Sequence, residues 1–416
     1  MWKRWRIRIL LFLAVLGPGF ITANVDNDSG GIFTYSQAGA QYGYTLLWTM
    51  IPITIALIVV QEMCSRMGVV TGKGLSDLIR EEFGLRLTFV MMVLLVVLNY
   101  TNVVTEFIGI AGSLHLFHVS KFISVPICAF LVWALVLKGD YKSTEKIFLV
   151  ASGVYIAYIF AGLLAHPDWH EALVATVTLP AKSVWRDKSY IYMAIGVVGT
   201  TIAPWMQFYL QSSVVEKGIP VKDYSASRLD VIVGCFFTDL IAWFIVVACA
   251  ATLFVHGMGA IQVAADAAEA MRPLAGDYAF LLFAFGLFNA SLFAASILPL
   301  STAYTVCEGL GVESGVDKSF KEAPFFYWLY TLLIVGGAAT VLVLPDAQLI
   351  NVAILSQVLN GVLLPVVIIP MLLLINRKDL MGEHKNSRLW NVIAWATSAI
   401  VIVMTGVMLW GMLPGH

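Results

Sequence analysis

The sequence predicts an all-α membrane protein of about eleven transmembrane helices, built as two five-helix units of opposite orientation followed by one extra C-terminal helix. Three observations lead there. With 60% hydrophobic and only 12% charged residues, the chain is far from a soluble domain, in which about a quarter of residues are charged. Two long apolar stretches, 11–40 and 191–210, are broken at their centres by helix-disrupting residues and lie about half a chain apart; such a pair points to a transporter with its site at mid-membrane. The basic residues between apolar stretches fall mainly on alternate loops, as the positive-inside rule requires.

At about 20 apolar residues per crossing, the first span covers 9–42. It follows the basic run Lys3, Arg4, Arg6 and Arg8, which resembles a signal peptide; with many spans behind it, an uncleaved first helix is expected. Asp28, Ser29, Gly30 and Gly31 interrupt this span, the two glycines permitting a sharp departure of the chain. Span two is 44–66. In the connector 67–86, Leu75, Leu78, Ile79 and Phe83 are interleaved with Asp77, Arg80, Glu81 and Glu82, the pattern of a short amphipathic interfacial helix, with a solvated connector as the alternative. Spans three to five are 86–117, 120–138 and 145–166, and the outer loop 167–188 caps the bundle. Span six, 189–213, is interrupted at Ala203, Pro204 and Trp205. Spans seven to eleven are 230–256, 277–306, 324–344, 348–375 and 389–413.

With the amino terminus cytoplasmic, inner segments hold Lys and Arg over outer ones by roughly four to one, and those that touch a span lie at its ends. An odd span number then places the carboxyl terminus outside, in a multi-pass protein of the plasma (inner) membrane. Because five is odd, the second unit enters from the opposite side, and the repeat is inverted. The units are 1–166 and 189–375, joined by the extracellular loop 167–188 and followed by a cytoplasmic loop and eleventh helix in 376–416.

Several function classes drop out. A net charge of −1 gives no basic surface for nucleic acid. The five cysteines form no close pair, so neither a disulfide framework nor a zinc site is indicated. No nucleotide-binding loop or phosphorylation-type Asp motif is present, so ATP is not expected to drive transport. An intramembrane aspartyl protease would need Asp28 and Asp239 to face each other, and its usual Gly-x-Gly-Asp context is missing. The chain is not expected to be an enzyme or to hold a resident cofactor; the lipid bilayer is an expected partner, with no obligate protein partner.

Unwinding a helix in hydrocarbon leaves carbonyls and amides unpaired, which is tolerated only where they line a cavity or bind a ligand. Pro204 has no N–H to offer the Thr200 carbonyl four residues earlier, so carbonyls near Thr200 and Ala203 are freed to face Asp28. A carboxylate, carbonyls and carboxamides around one cavity make an all-oxygen site for a hard cation. A sodium-coupled amino-acid transporter of the same architecture would have a glycine-rich first break without a central acid. A passive channel differs from a transporter in rate and saturation rather than in these motifs.

The run Gly17-Pro18-Gly19-Phe20, the Asp28 turn, Gln37 to Tyr44, Gly68 to Gly74, Thr105-Glu106-Phe107-Ile108-Gly109, the surroundings of Pro204, Ser356-Gln357-Val358 and Pro365 together resemble the Nramp (SLC11) family of divalent-metal transporters. The resemblance covers most of the chain and implies a LeuT-like inverted 5+5 repeat with helices 1 and 6 broken. It differs at the site. The family's Asp-Pro-Gly-Asn aligns with Asp28, Ser29, Gly30 and Gly31, and its Ala-x-x-Met-Pro-His with Thr200 to Trp205, so the liganding Asn, the Met thioether and the His are replaced. Asp28 and Gln357 keep both position and type.

A thioether favours softer transition metals, and Ala203 in its place removes that discrimination. Magnesium dehydrates reluctantly and keeps several waters. The expected metal residues are therefore Asp28, Gly31, Thr200, Ala203, Gln207 and Gln357 around a partly hydrated Mg2+, with Mn2+ as a second substrate, as in the Nramp-related magnesium branch. Asn27, Trp205, Gln211 and Asn360 are expected along the cavity or access path, and Asp26 either reaches the cavity or faces solvent. Met206 is expected to pack. Glu106 matches the family's third-helix acid, but Val103 replaces the acid before it and Trp205 does not titrate. Uncoupled, potential-driven uptake is thus expected, with proton-coupled Mn2+/Fe2+ symport as the alternative. Glu106 is then proton-linked or purely structural, and the role of Asp239 is open.

Overall fold

The computed structural model describes residues 17–138, 153, 155–257, 259, 261 and 264–411. The basic amino terminus, the start of the first span and most of 139–154, including Lys142 and Lys146, lie outside the described residues.

The described helices are α1 (Pro18–Asn24), α2 (Ser29–Tyr42), α3 (Met50–Thr71), α4 (Leu75–Phe83), α5 (Leu85–His115), α6 (Lys121–Lys138), α7 (Ile156–Leu164), α8 (Trp169–Val177), α9 (Lys188–Thr201), α10 (Pro204–Glu216), α11 (Tyr224–Cys249), α12 (Ala264–Leu310), α13 (Pro324–Val343), α14 (Leu349–Ile375) and α15 (Arg388–Gly411). Among the described residues eight stretches are long and apolar enough to cross a bilayer, and one of them, 29–71, folds as the two helices α2 and α3. With α1/α2 and α9/α10 each taken as one interrupted span, and α6 and α7 added, the described helices match the expected order of spans. The architecture is the inverted repeat that the breaks predict.

The two interrupted helices occupy the centre. The α1/α2 pair packs on α11, α2 also meets α9 and α14, and α10 lies between α3 and α12. At the outside, Phe89 and Val97 of α5, Phe130 of α6, Leu332 of α13 and Val403 of α15 are exposed, an apolar belt suited to lipid. The start of α1 is held by Asp230 of α11, whose carboxylate accepts from the amides of Gly17 (2.9 Å), Gly19 (2.8 Å) and Phe20 (3.1 Å). These are amides that a helix N-terminus leaves unpaired. A side chain at Gly19 would run into the Val231 backbone, so glycine allows this approach.

Four elements differ from expectation. Helix α3 runs to Thr71, five residues past the expected end, and stops where Gly72 adopts φ +64° and donates to the Gly68 carbonyl at 2.9 Å, a left-handed cap. The amphipathic segment forms α4, and protein covers its apolar face: Leu75, Leu78 and Ile79 are buried against α5 and α12. The connector expected as an outer loop contains α8, capped by Asp168. Helix α12 begins at Ala264, ahead of the expected 277.

Candidate metal site

The first break is displaced from where its glycines suggest. Helix α1 gives way to a 3-10 turn over Val25–Asn27, and Asp28 is extended at φ −66°, ψ −179°. Asp28 is the N-cap of α2, its Oδ1 accepting from Gly31 N at 2.7 Å, the usual way for a short acid to satisfy a first-turn amide. Gly30 and Gly31 therefore lie inside α2 and do not make the departure. They serve close approach: a Cβ on Gly30 would meet the Gln357 carboxamide, and one on Gly31 would meet the Asp26 carbonyl and lie 3.1 Å from Thr200 Oγ1.

The second break falls where Pro204 predicts. Helix α9 ends at Thr201, Ile202 and Ala203 leave helical geometry (φ −69°, ψ 138° at Ala203), and α10 begins with Pro204 in its first turn, where a missing N–H costs nothing. Each break thus sets the carbonyl end of one half-helix beside the bundle centre, and such negative ends suit a cation. The Ala203 carbonyl accepts from Met206 N at 3.1 Å. With its amide turned to donate, Gln207 lies 2.7 Å from both the Ala203 and the Pro204 carbonyl oxygens. Gln207 and Ala203 therefore satisfy one another.

Asp28, Gly31, Thr200 and Gln357 are brought together, all buried. Glu106 of α5 adjoins Asp28; its Oε2 accepts from Ser29 N (3.2 Å) and Ser29 Oγ (2.9 Å), while Oε1 has no donor. Gln357 is anchored from behind. Its Oε1 accepts from Asn360 Nδ2 at 2.8 Å; Asn360 and Asn102 of α5 exchange two hydrogen bonds of 3.1 Å, and Ser356 donates to Asn102. The remaining Gln357 donor, Nε2, has no partner and faces Gly30. Oxygen and nitrogen of an amide are assigned by network; turning Gln357, Asn360 and Asn102 together preserves the chain and aims a Gln357 oxygen at the site.

The other expected residues lie further off. Trp205 is buried, its carbonyl accepting from Ser301 at 3.1 Å. Gln211 donates to the Lys73 carbonyl at 2.8 Å, so it ties α10 to the turn after α3 rather than lining the site. Asn27 donates to Thr238 O (2.9 Å) and Oγ1 (2.6 Å) of α11. Asp26 is buried, not solvated, and interacts electrostatically with Asp239. Met206 is fully buried in the hydrophobic core, consistent with packing. Among the described residues no three His, Cys, Asp or Glu side chains gather as a metal cluster.

At one end of α2 and α9, a cavity of about 600 Å³ is lined by Gln37, Gln41, Tyr192, Met193 and Ile354. The opposite end of the bundle is tied by Gln211 to Lys73, by Ser212 to Glu308, and by Arg66, which pairs with Glu62 at 3.1 Å and bonds Asn386.

Both breaks and the helices around them fall within residues 19–411, which match the family described as natural resistance-associated macrophage protein-like. The chain belongs to the Nramp family. A divalent metal cation transporter, MntH, of Deinococcus radiodurans is 27% identical over 98% of this chain and 91% of its own length. The MntH of Nostoc is also 27% identical, over 96% of this chain and 92% of its own. The crystal structure of an Eremococcus coleocola manganese transporter superposes with a TM-score of 0.75 at 21% identity, covering 95% of this chain and 86% of that one; this likeness is one of fold.

Sequence reasoning missed Asn102 and Asp230. Asn102 lies four residues before Glu106 on one helix, so the two share a face, and that spacing was the available signal. Asp230 opens an apolar run far from its α1 partner and carries no local mark of its role.

Proposed function

We propose that this Nramp-family protein is a divalent-metal transporter that takes up Mg2+, and Mn2+ beside it, as a partly hydrated ion by alternating access. The observation that carries the reading is the donor set where the two breaks meet: one carboxylate (Asp28), a hydroxyl (Thr200), a carboxamide (Gln357), and alanine at 203. Oxygen donors with a single carboxylate suit a hard cation that keeps several waters, and no thioether at 203 favours a softer one. Ala203 supplies a carbonyl once Gln207 turns away, and Gly31 leaves room for a hydration shell. The MntH relatives support divalent-metal transport as the general activity.

The cavity beside Gln37 and Tyr192 then serves as the outer vestibule, and the Gln211, Glu308 and Arg66 contacts as the closed inner gate. This assignment agrees with the charge bias that places the amino terminus in the cytoplasm of a plasma-membrane protein, and with two five-helix units rocking about the fixed site. Transport is driven by membrane potential. One observation favours proton symport as a second reading: Glu106 adjoins Asp28 and keeps one oxygen unpartnered.

The test is Mg2+ and Mn2+ entry into proteoliposomes containing wild type, Asp28→Asn or Asp28→Ala. Saturable Mg2+ entry lost in both variants supports the reading; Mn2+ entry without Mg2+ entry overturns the hydrated-ion argument.

A further inference from the structure

Asp26 and Asp239 are not used by the transport site described above. The Asn27 amide, bonded to both oxygens of Thr238, clamps the 3-10 turn of the first break onto α11. The chain neighbours of these two residues, Asp26 and Asp239, are thereby set side by side. They are 2% and 4% exposed, and none of their four carboxylate oxygens meets a donor. Among the described residues no Lys, Arg or His interacts with either. Two buried charges of like sign with neither hydrogen bonds nor a counter-charge are not a stable arrangement in a membrane interior.

Two hydroxyls beside the pair indicate what completes it. Thr54 of α3 adjoins Asp239, and its hydroxyl also donates to the Met50 carbonyl at 2.7 Å. Tyr35 of α2 interacts with both carboxylates, and its hydroxyl lies 2.7 Å from Thr201 Oγ1. Thr201 already donates to the Val197 carbonyl at 2.8 Å, so Tyr35 must be the donor in that pair. Its proton is thereby committed to Thr201. Oxygen-bearing side chains from the break turn, α2, α3 and α11 thus adjoin one another here.

We infer that Asp26 and Asp239, with the Tyr35 and Thr54 hydroxyls, form a second divalent-cation site separate from the one at Asp28. Two carboxylates balance two positive charges, and an all-oxygen set selects a hard ion such as Mg2+, Ca2+ or Mn2+. Because the site bridges the unwound turn of α1/α2 to α11, an ion there holds the break in its unwound form. The inference needs only Asp26 and Asp239 and stands apart from the role given to Asp28.

Equilibrium dialysis of Mn2+ alone against the full-length protein in detergent micelles tests it. Wild type is expected to hold two ions per chain, and Asp239→Asn and Asp26→Asn one ion each, with unchanged size-exclusion profiles. Asp28→Asn reports the transport site in parallel and is expected to hold one. An Asp239→Asn protein that keeps the wild-type number overturns the inference. A single wild-type ion lost in Asp239→Asn but kept in Asp28→Asn upholds it and refutes the metal role of Asp28. Should Asp239→Asn fail to fold, Asp28→Asn decides: one residual ion supports the second site, and none overturns it.

Discussion

Replacing Asn102 with leucine removes a group that never touches the ion, yet it should weaken metal binding. Asn102 is fully buried and near-isosteric with leucine, so packing is little changed. It exchanges two 3.1 Å hydrogen bonds with Asn360, which in turn holds Gln357 at 2.8 Å. In Asn102→Leu, Ser356 retains Thr101 at 2.9 Å, but Asn360 Oδ1 loses its donor. One orphaned buried acceptor costs about 1–3 kcal/mol, and Asn360 escapes that cost by rotating toward another donor and releasing Gln357. If about 1–2 kcal/mol of this appears in ion binding, the apparent affinity for Mg2+ and Mn2+ falls roughly 5- to 30-fold. The assay is initial uptake rate against metal concentration in proteoliposomes. KM should rise by that factor with the maximal rate nearly retained, since the lost contact supports binding. A KM within twofold of wild type, in protein that elutes and melts normally, would refute the claim that α5 positions Gln357.

Other perturbations follow from the same geometry. Asp28→Asn should abolish transport while keeping the α2 cap, whereas Asp28→Ala should also lose about 0.5–2 kcal/mol of stability, visible as a lower melting temperature. Gly31→Ala places a Cβ against the Asp26 carbonyl and 3.1 Å from Thr200; overpacking of about 1–3 kcal/mol should reduce transport sharply, and normal uptake would contradict the close approach. Ala203→Met should raise the Mn2+ to Mg2+ selectivity ratio in competition uptake by about tenfold, as a soft donor is restored. Arg66→Ala leaves Glu62 buried beside Tyr224 without its ion-pair partner; stability should fall by about 3–5 kcal/mol, read by thermal denaturation.

Much of the fold was legible because a bilayer forces long apolar runs, charged loops and satisfied backbones onto the sequence. Pro204 located the second break to the residue, since a ring without an N–H is tolerated only where a helix starts or stops. The first break was misplaced because glycine has two meanings. Gly30 and Gly31 read as helix breakers, but their purpose is to let α2 touch α9 and α14. Asp28 before a polar first turn is an N-cap signal, and giving it weight over the glycines would have started α2 at Ser29. The pairing of α4 with α5 and α12 was hidden because an amphipathic face does not announce whether protein or lipid will cover it. Asn102 with Asn360, and Asp26 with Asp239, are separated by more than half the chain, and only packing brings them together.

The central claim is uptake of a divalent ion driven by potential at a site built on Asp28. Each charge gains about 2.3 kcal/mol per 100 mV, so a divalent ion gains about 4.6 kcal/mol, enough for roughly 2,000-fold accumulation without protons. The most direct measurement is Mg2+ accumulation and internal pH in the same proteoliposomes across a series of imposed potentials. The account predicts accumulation that climbs with potential at two charges per ion while internal pH stays constant. Acidification in fixed proportion to metal entry, or accumulation that follows the pH gradient at zero potential, would contradict it.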